Sequence, residues 1–135
     1  MLDYPAKIIL AFGETFTPGT EGEEFYNWLL ENGYPELAAL SSGIKGSKEA
    51  IGWLLKNNFA HLAAFDGAID NKKEAYEWLR KYEHDILVLL AEAIHNKPKA
   101  MVWFKENDLD IFNMLALKIR SWGENQQFDY HKLHW

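Results

Sequence analysis

The chain has 135 residues, of which 48% are hydrophobic and 15% aromatic, with a formal net charge of −6 and no cysteine. The apolar content excludes a disordered chain and suits a single compact domain over residues 1–135, while the lack of cysteine excludes disulfides and thiol catalysis. The negative charge argues against general nucleic-acid binding, in which Lys and Arg must neutralise phosphates.

The N-terminal segment contains one apolar stretch, residues 8–12, which follows a Tyr-Pro pair at Tyr4. The same pair recurs at Tyr34, where proline suits the first turn of a predicted helix. We therefore expect residues 1–20 to form an N-terminal cap that corresponds to half of a repeat unit, with a loop over residues 13–20. A short β-strand over residues 8–12 is the alternative interpretation.

Four tryptophans lie 25 residues apart, and the residues around them recur in step. They are Trp28, Trp53, Trp78 and Trp103. Constant spacing of this kind is typical of an array of stacked units. Within each unit the apolar residues recur three and four positions apart, which predicts two helices. The predicted helices cover residues 22–32, 35–44, 47–57, 60–69, 72–82, 85–95, 98–107 and 109–121. The sequence thus predicts four helical hairpins over residues 22–122, followed by a tail over residues 123–135.

We call the residues at equivalent positions of the four units a column of the repeat. The apolar columns predict the core. A leucine or phenylalanine follows each tryptophan, and both positions are expected to be buried between helices, Trp53 and Trp78 in particular. The alternative is a row of exposed tryptophans on which bases or sugars stack. At the joins between units, Ser47 and Asn71 are expected to cap the next helix, and Asn71 is followed three residues later by Glu74 in a capping-box pattern.

This organisation resembles that of α-solenoid proteins, whose stacked helical hairpins serve as interaction surfaces. The resemblance covers about residues 22–122 and includes no diagnostic functional motif. The unit is shorter than a tetratricopeptide repeat of about 34 residues or an ankyrin repeat of about 33. The resemblance implies an all-α, α-solenoid-like stack that acts as a non-catalytic protein-interaction or scaffold module.

The second helices of the last two units are apolar nearly all round, which one core-facing stripe does not explain. The excess face is the predicted interaction surface, formed by Ile86, Leu89, Ile111 and Met114. Two covers are possible. The first is the tail, through Phe128, Tyr130, Leu133 and Trp135. The second is another protein molecule, either a different partner or a second copy of the chain in a homodimer.

Lysines recur at the joins between units, where stacking would align them along one edge. We call Lys72, Lys73, Lys97 and Lys99 the lysine row. An anionic ligand or a nucleic-acid backbone could bind there, and this is the alternative function. Lysines at these turns also complement the helix dipoles and keep exposed turns soluble, which is the simpler explanation.

The sequence contains no GxSxG or HExxH motif, no phosphate loop and no Rossmann fingerprint, so neither an enzyme nor a cofactor is predicted. Asp66 interrupts an apolar helix stripe and would need a partner such as Lys45 or a helix cap if it were buried, and partial exposure is the simpler explanation. Asp129, His131 and His134 could ligate zinc or nickel. This group is terminal and lacks an obvious further ligand, so no metal site is predicted.

The longest apolar run, residues 86–91, is much shorter than the ~20 residues that a membrane-spanning helix needs. The first residues also lack the basic region and long apolar stretch of a secretory signal. We therefore expect a cytoplasmic protein that does not enter a membrane.

Overall fold

A computed structural model describes the backbone of residues 1–133 and the side chains of residues 1–125. This part of the chain forms nine α-helices joined by short turns. They are α1 (Ala6–Glu14), α2 (Thr20–Glu31), α3 (Pro35–Ile44), α4 (Lys48–Lys56), α5 (Ala60–Ile69), α6 (Lys73–Lys81), α7 (Asp85–Ile94), α8 (Pro98–Glu106) and α9 (Asp110–Leu133). The prediction of an all-α stack is confirmed. The strand alternative for residues 8–12 is wrong, because these residues lie inside α1.

Residues with a left-handed backbone conformation lie in the turns that join successive helices. Gly33, Asn58, Glu83 and Asp108 have positive φ in the hairpin turns, and Gly46, Asn71 and Asn96 have positive φ at the joins. A residue in this conformation ends a helix and redirects the chain. Asn71 is therefore a turn residue and not the predicted cap, since the cap position of α6 is held by Lys72 without a side-chain hydrogen bond. The prediction for Ser47 is confirmed, because its Oγ accepts a hydrogen bond of 3.1 Å from the Ala50 amide.

Five helices, α1, α3, α5, α7 and α9, form an inner ring. Each contacts the next in chain order, and α9 contacts α1, so the ring is closed. The other four lie outside it: α2 contacts α1 and α3, α4 contacts α3 and α5, α6 contacts α5 and α7, and α8 contacts α7 and α9. Helix α1, which the sequence predicts as a cap on a stack, thus lies between the two ends of the stack and joins them.

The fully buried column of the outer helices is the one that follows the tryptophans. Leu29, Leu54, Leu79 and Phe104 are 0% exposed. By contrast, Trp53 and Trp103 are each 37% exposed, and the other two tryptophans are half-buried. The prediction that the tryptophans belong to the core is therefore wrong, and they border it instead. Neighbouring positions on a helix point about 100° apart, so only one of the two can point directly into the core.

Trp53 and Trp78 pack against the hairpin turns that follow them. The ring of Trp53 stacks on Phe59 with the centroids 6.0 Å apart, and Trp78 stacks on His84 at 5.7 Å. Phe59 and His84 are the residues immediately before α5 and α7. At the other side of the turn, Asn57 Nδ2 donates a hydrogen bond of 2.8 Å to the Trp53 carbonyl oxygen. Trp53 and Trp78 therefore pack on the residue that immediately precedes the second helix of their hairpins.

Helix α9 continues to Leu133, through most of the segment that the sequence predicts as a separate tail. The side chains that would form a cover, Phe128, Tyr130, Leu133 and Trp135, lie outside the described side chains. Whether they cover the apolar face therefore stays a prediction. Within the described side chains, Trp122 packs against Phe16 of the α1–α2 loop, with ring centroids 6.3 Å apart.

Candidate functional site

We call the line of contact between two neighbouring inner helices a seam. The seam between α9 and α1 differs from the other seams of the inner ring. Each of the other four neighbouring pairs of inner helices is spanned by an outer helix, whereas no outer helix spans α9 and α1 in the described part of the chain. Three large apolar side chains on these two helices are exposed: Leu10 is 43%, Met114 51% and Leu117 53% exposed. Leu10 lines a cavity with Phe25 of α2, so the exposed apolar residues on the α9 side of the uncovered seam are Met114 and Leu117.

Lys118 closes part of this seam. Its Nζ lies 2.7 Å from Glu14 Oε1, which joins α9 to α1 by a salt bridge. The same side chain passes over Gly13, where an added Cβ would lie 3.2 Å from Lys118 Cδ. The side chains of α9 thus partly replace the missing outer helix, although Met114 and Leu117 stay open to solvent.

The repeat columns record this difference. In covered seams the inner helix presents small residues toward the next outer helix, as Gly43 does toward Ile51 and Gly67 toward Ala75. In the column of Gly43 the residue in α9 is Lys118, and in the column of Gly67, where the covered helix α7 already has Glu92, it is Leu117. Only the change from small residues to Lys118 in the column of Gly43 is therefore a sequence signal for the uncovered seam, and the prediction of the interaction surface did not include it.

The residues of the predicted interaction surface do not lie together in the structure. Ile86 and Leu89 are half-buried and line a cavity of about 680 Å³ together with Met1 and Trp103. Met114 is exposed and lines a different cavity, of about 380 Å³, beside the α1–α2 loop. The fourth member, Ile111, is half-buried. Of the predicted set, Met114 is the one at the α9–α1 seam with a largely open side chain.

The lysine row lies at the joins, as its sequence positions predict. Lys72, Lys73, Lys97 and Lys99 are all exposed. Lys72 and Lys97 occupy the cap positions of α6 and α8, and Lys73 Nζ lies 3.8 Å from Glu77 Oε1 in an exposed pair. An exposed pair of this kind contributes little to stability. Anion binding by the lysine row stays a prediction.

A second column of charged residues links the inner helices. Lys45, His95 and Arg120 occupy the same position of the repeat, and each contacts a carbonyl oxygen at the end of the preceding inner helix. Lys45 Nζ donates to Thr15 at 2.6 Å, His95 Nε2 lies 3.2 Å from the Ala68 oxygen, and Arg120 Nη1 donates to Ala93 at 3.1 Å. The Ala68 and Ala93 oxygens also accept from the Asn71 and Asn96 amides at 3.0 Å, so the side-chain contacts there are additional ones that link neighbouring inner helices.

Asp70 is the acidic residue in this otherwise basic column, and it lies close to a second carboxylate, Asp66. Burial raises the pKa of Asp66 from the ordinary value of 3.8 to about 6; Asp70 adds to this shift and Lys72 opposes it. Lys45, the partner suggested by the sequence, instead donates to Thr15. The end of α5 therefore contains a carboxyl group whose ionisation opposes folding.

Replacing Asp66 by Asn is expected to raise the melting temperature at pH 7. The pKa of Asp66 is higher in the folded than in the unfolded chain, so stability is lost as the pH rises from about 4 to about 6. Asn should therefore stabilise the protein fully above about pH 6 and not at all below about pH 4. Thermal unfolding of both proteins at several pH values measures the difference. If the Asn variant were less stable at pH 7, the carboxylate would be making a favourable contact.

Within residues 1–125 no group of three His, Cys, Asp or Glu side chains is placed to hold a metal ion, and Asp129, His131 and His134 lie outside that range. Among the described helices, none is both long enough and apolar enough to cross a bilayer. Comparison with protein families, curated proteins and solved structures gives no match to this chain.

Proposed function

We propose that this chain is a non-catalytic protein-interaction module, and that it binds its partner through the outer face of the α9–α1 seam. The observation that supports this proposal is the exposure of Met114 and Leu117 on a seam that lacks an outer helix. Apolar residues one helical turn apart form a stripe on one side of α9. Leu10 of α1 is also exposed, but the cavity that it lines is formed with Phe25 and Trp28 of α2.

The chemistry of the seam suits a protein surface. Met side chains adapt to irregular partners, and exposed apolar groups surrounded by polar residues are typical of interaction sites. Lys118 and Glu14 form a charged pair next to the apolar residues. Such a pair at the edge of an interface contributes more to partner choice than to affinity.

The test uses the full chain as the target for a library of displayed peptides. Peptides that the wild-type protein enriches are expected to bind a Met114→Glu, Leu117→Glu double variant at least about tenfold more weakly, which corresponds to about 1.4 kcal/mol. The matched control is Leu55→Glu, because Leu55 on α4 is 57% exposed and lies away from the seam. It should bind the peptides like the wild type.

Light scattering on the same proteins tests whether the partner is a second copy. In that case the wild type should be a dimer and the double variant a monomer, with two-fold symmetry expected. The proposal fails if the wild type is monomeric and no peptide is enriched. It also fails if the enriched peptides bind the double variant as well as the wild type.

A further inference from the structure

The α1–α2 loop, residues 15–19, forms a cavity at the point where the chain departs from its 25-residue period. The cavity has a volume of about 600 Å³ and lies between this loop, α2, the end of α3 and the region of α9 around Trp122. This volume is in the range of small-molecule sites. The corresponding joins of the other units are shorter, so the cavity is particular to this corner of the ring.

Hydrogen bonds fix the wall that the loop forms. The hydroxyl of Thr15 is completely buried, donates to the Phe12 carbonyl oxygen at 2.6 Å and lies 2.8 Å from Ser41 Oγ. Thr17 Oγ1 donates to Glu14 Oε2 at 3.0 Å. Below the loop, Gly22 of α2 leaves no room for a Cβ, so helix and loop are in direct contact. A wall held in this way loses little entropy when a ligand binds.

Lys45 supplies the positive charge of the cavity. Its Nζ donates to the Thr15 carbonyl oxygen at 2.6 Å and lies 5.4 Å from the centroid of the Phe16 ring. An ammonium group has three N–H donors, so Lys45 can donate to a ligand while it keeps the bond to Thr15. Burial lowers the pKa of Lys45, and the nearby Glu23 opposes that shift. Perturbed groups of this kind in a cavity are candidates for binding sites.

The remaining lining groups define the kind of ligand. Asn27 and Asn125 carry amides that can donate to an anion, while Tyr26 and Trp122 offer aromatic surface. Glu23 is the negative group on the same lining. Lys45 and Glu23 together give these two lining groups no net charge, so a ligand with one negative charge meets less repulsion from Glu23 than a doubly charged phosphate would.

We propose that this cavity binds a small monoanionic carboxylate that carries a flat apolar group. The carboxylate pairs with the ammonium of Lys45 and accepts hydrogen bonds from Asn27 or Asn125. The flat group packs against Tyr26 and Trp122. This cavity adjoins the one that Met114 and Leu117 line and shares Trp122 with it, but Lys45 lines only the cavity proposed here, and the inference does not depend on the protein-interaction function.

The probes are benzoate and its neutral analogue benzamide, added to the isotope-labelled full chain and followed by NMR. Benzoate is expected to shift the amide signals of Thr15, Gly22 and Lys45, and to bind at least about tenfold more tightly than benzamide, because only benzoate carries the charge. This comparison uses the wild-type protein alone. It therefore remains informative even if a variant of Lys45 fails to fold.

Lys45→Met keeps the aliphatic part of the side chain and removes the charge. It is expected to weaken benzoate binding by about tenfold or more and to leave benzamide binding nearly unchanged. The control is Lys48→Met, since Lys48 is an exposed lysine at the start of α4. It should bind benzoate like the wild type.

Three results would overturn the inference. The first is no shift of these signals at about 10 mM benzoate, which is above the millimolar affinity of weak small ligands. The second is equal binding of benzoate and benzamide. The third is a folded Lys45→Met protein that binds benzoate as well as the wild type does.

Discussion

Replacing Phe104 by Ala is expected to lower the free energy of unfolding by about 3–5 kcal/mol. The Phe104 ring is completely buried and stacks on Phe112 of α9, with the centroids 5.3 Å apart. Its loss would leave a cavity between an outer and an inner helix. A domain of this size has a stability of about 5–15 kcal/mol, so the variant should be close to unfolding.

The control is Trp103→Ala in the same helix. Trp103 is the larger residue, but its side chain is 37% exposed, so its removal should cost less than that of Phe104. Denaturation with urea gives both free energies, provided that the slope of the transition is unchanged. If Trp103→Ala cost as much as Phe104→Ala, the tryptophans would be core residues after all, as the repeat pattern predicts.

The helices were predictable because the repeat gives the same evidence four times. Each unit has apolar residues at helical spacing, and each join has a residue able to adopt positive φ, such as Gly46 or Asn96. The end of α9 was not predictable in this way. The polar residues after Trp122 interrupt the apolar pattern, although the helix continues to Leu133.

The burial of Trp53 could not be read from spacing alone. Both Trp53 and Leu54 are compatible with the core-facing stripe, and the pattern does not say which one points to its centre. In the structure Leu54 takes that position, and the Trp53 ring lies over Phe59 at the hairpin turn. An aromatic ring at such a border buries much of its surface while one edge stays in water.

Closure of the ring depends on the rotation between successive units. This rotation cannot be read from the residues at equivalent positions of the repeat. The columns specify what one unit needs in order to pack on the next. Contact between α1 and α9 follows only from the sum of all these rotations. For this reason the uncovered seam was not predicted, and the predicted surface combined Met114, which lies at the seam, with Ile86 and Leu89, which do not.

The second large effect is expected for Gly22→Ala. A Cβ at Gly22 would overlap the carbonyl oxygen of Thr17 and lie 3.1 Å from that of Thr15, and both atoms belong to the backbone of the α1–α2 loop. The loop is held by the buried hydrogen bonds of Thr15 and by the bond from Thr17 Oγ1 to Glu14, so we expect its displacement to cost free energy. The variant should therefore lose about 1–3 kcal/mol, the usual cost of overpacking.

Gly52→Ala is the matched control, because Gly52 also lies inside an outer helix but a Cβ there would meet no atom within 4 Å. At that position Ala should stabilise the protein by about 0.5–1 kcal/mol, since glycine is the poorer helix former. The same gain in helix propensity is expected for Gly22→Ala, but there the free-energy cost of the steric overlap should exceed it. Chemical denaturation of the two variants should thus show changes of opposite sign. Stabilisation of both by similar amounts would mean that the loop moves away from α2 at little cost, and that the wall of the cavity at Lys45 is not rigid.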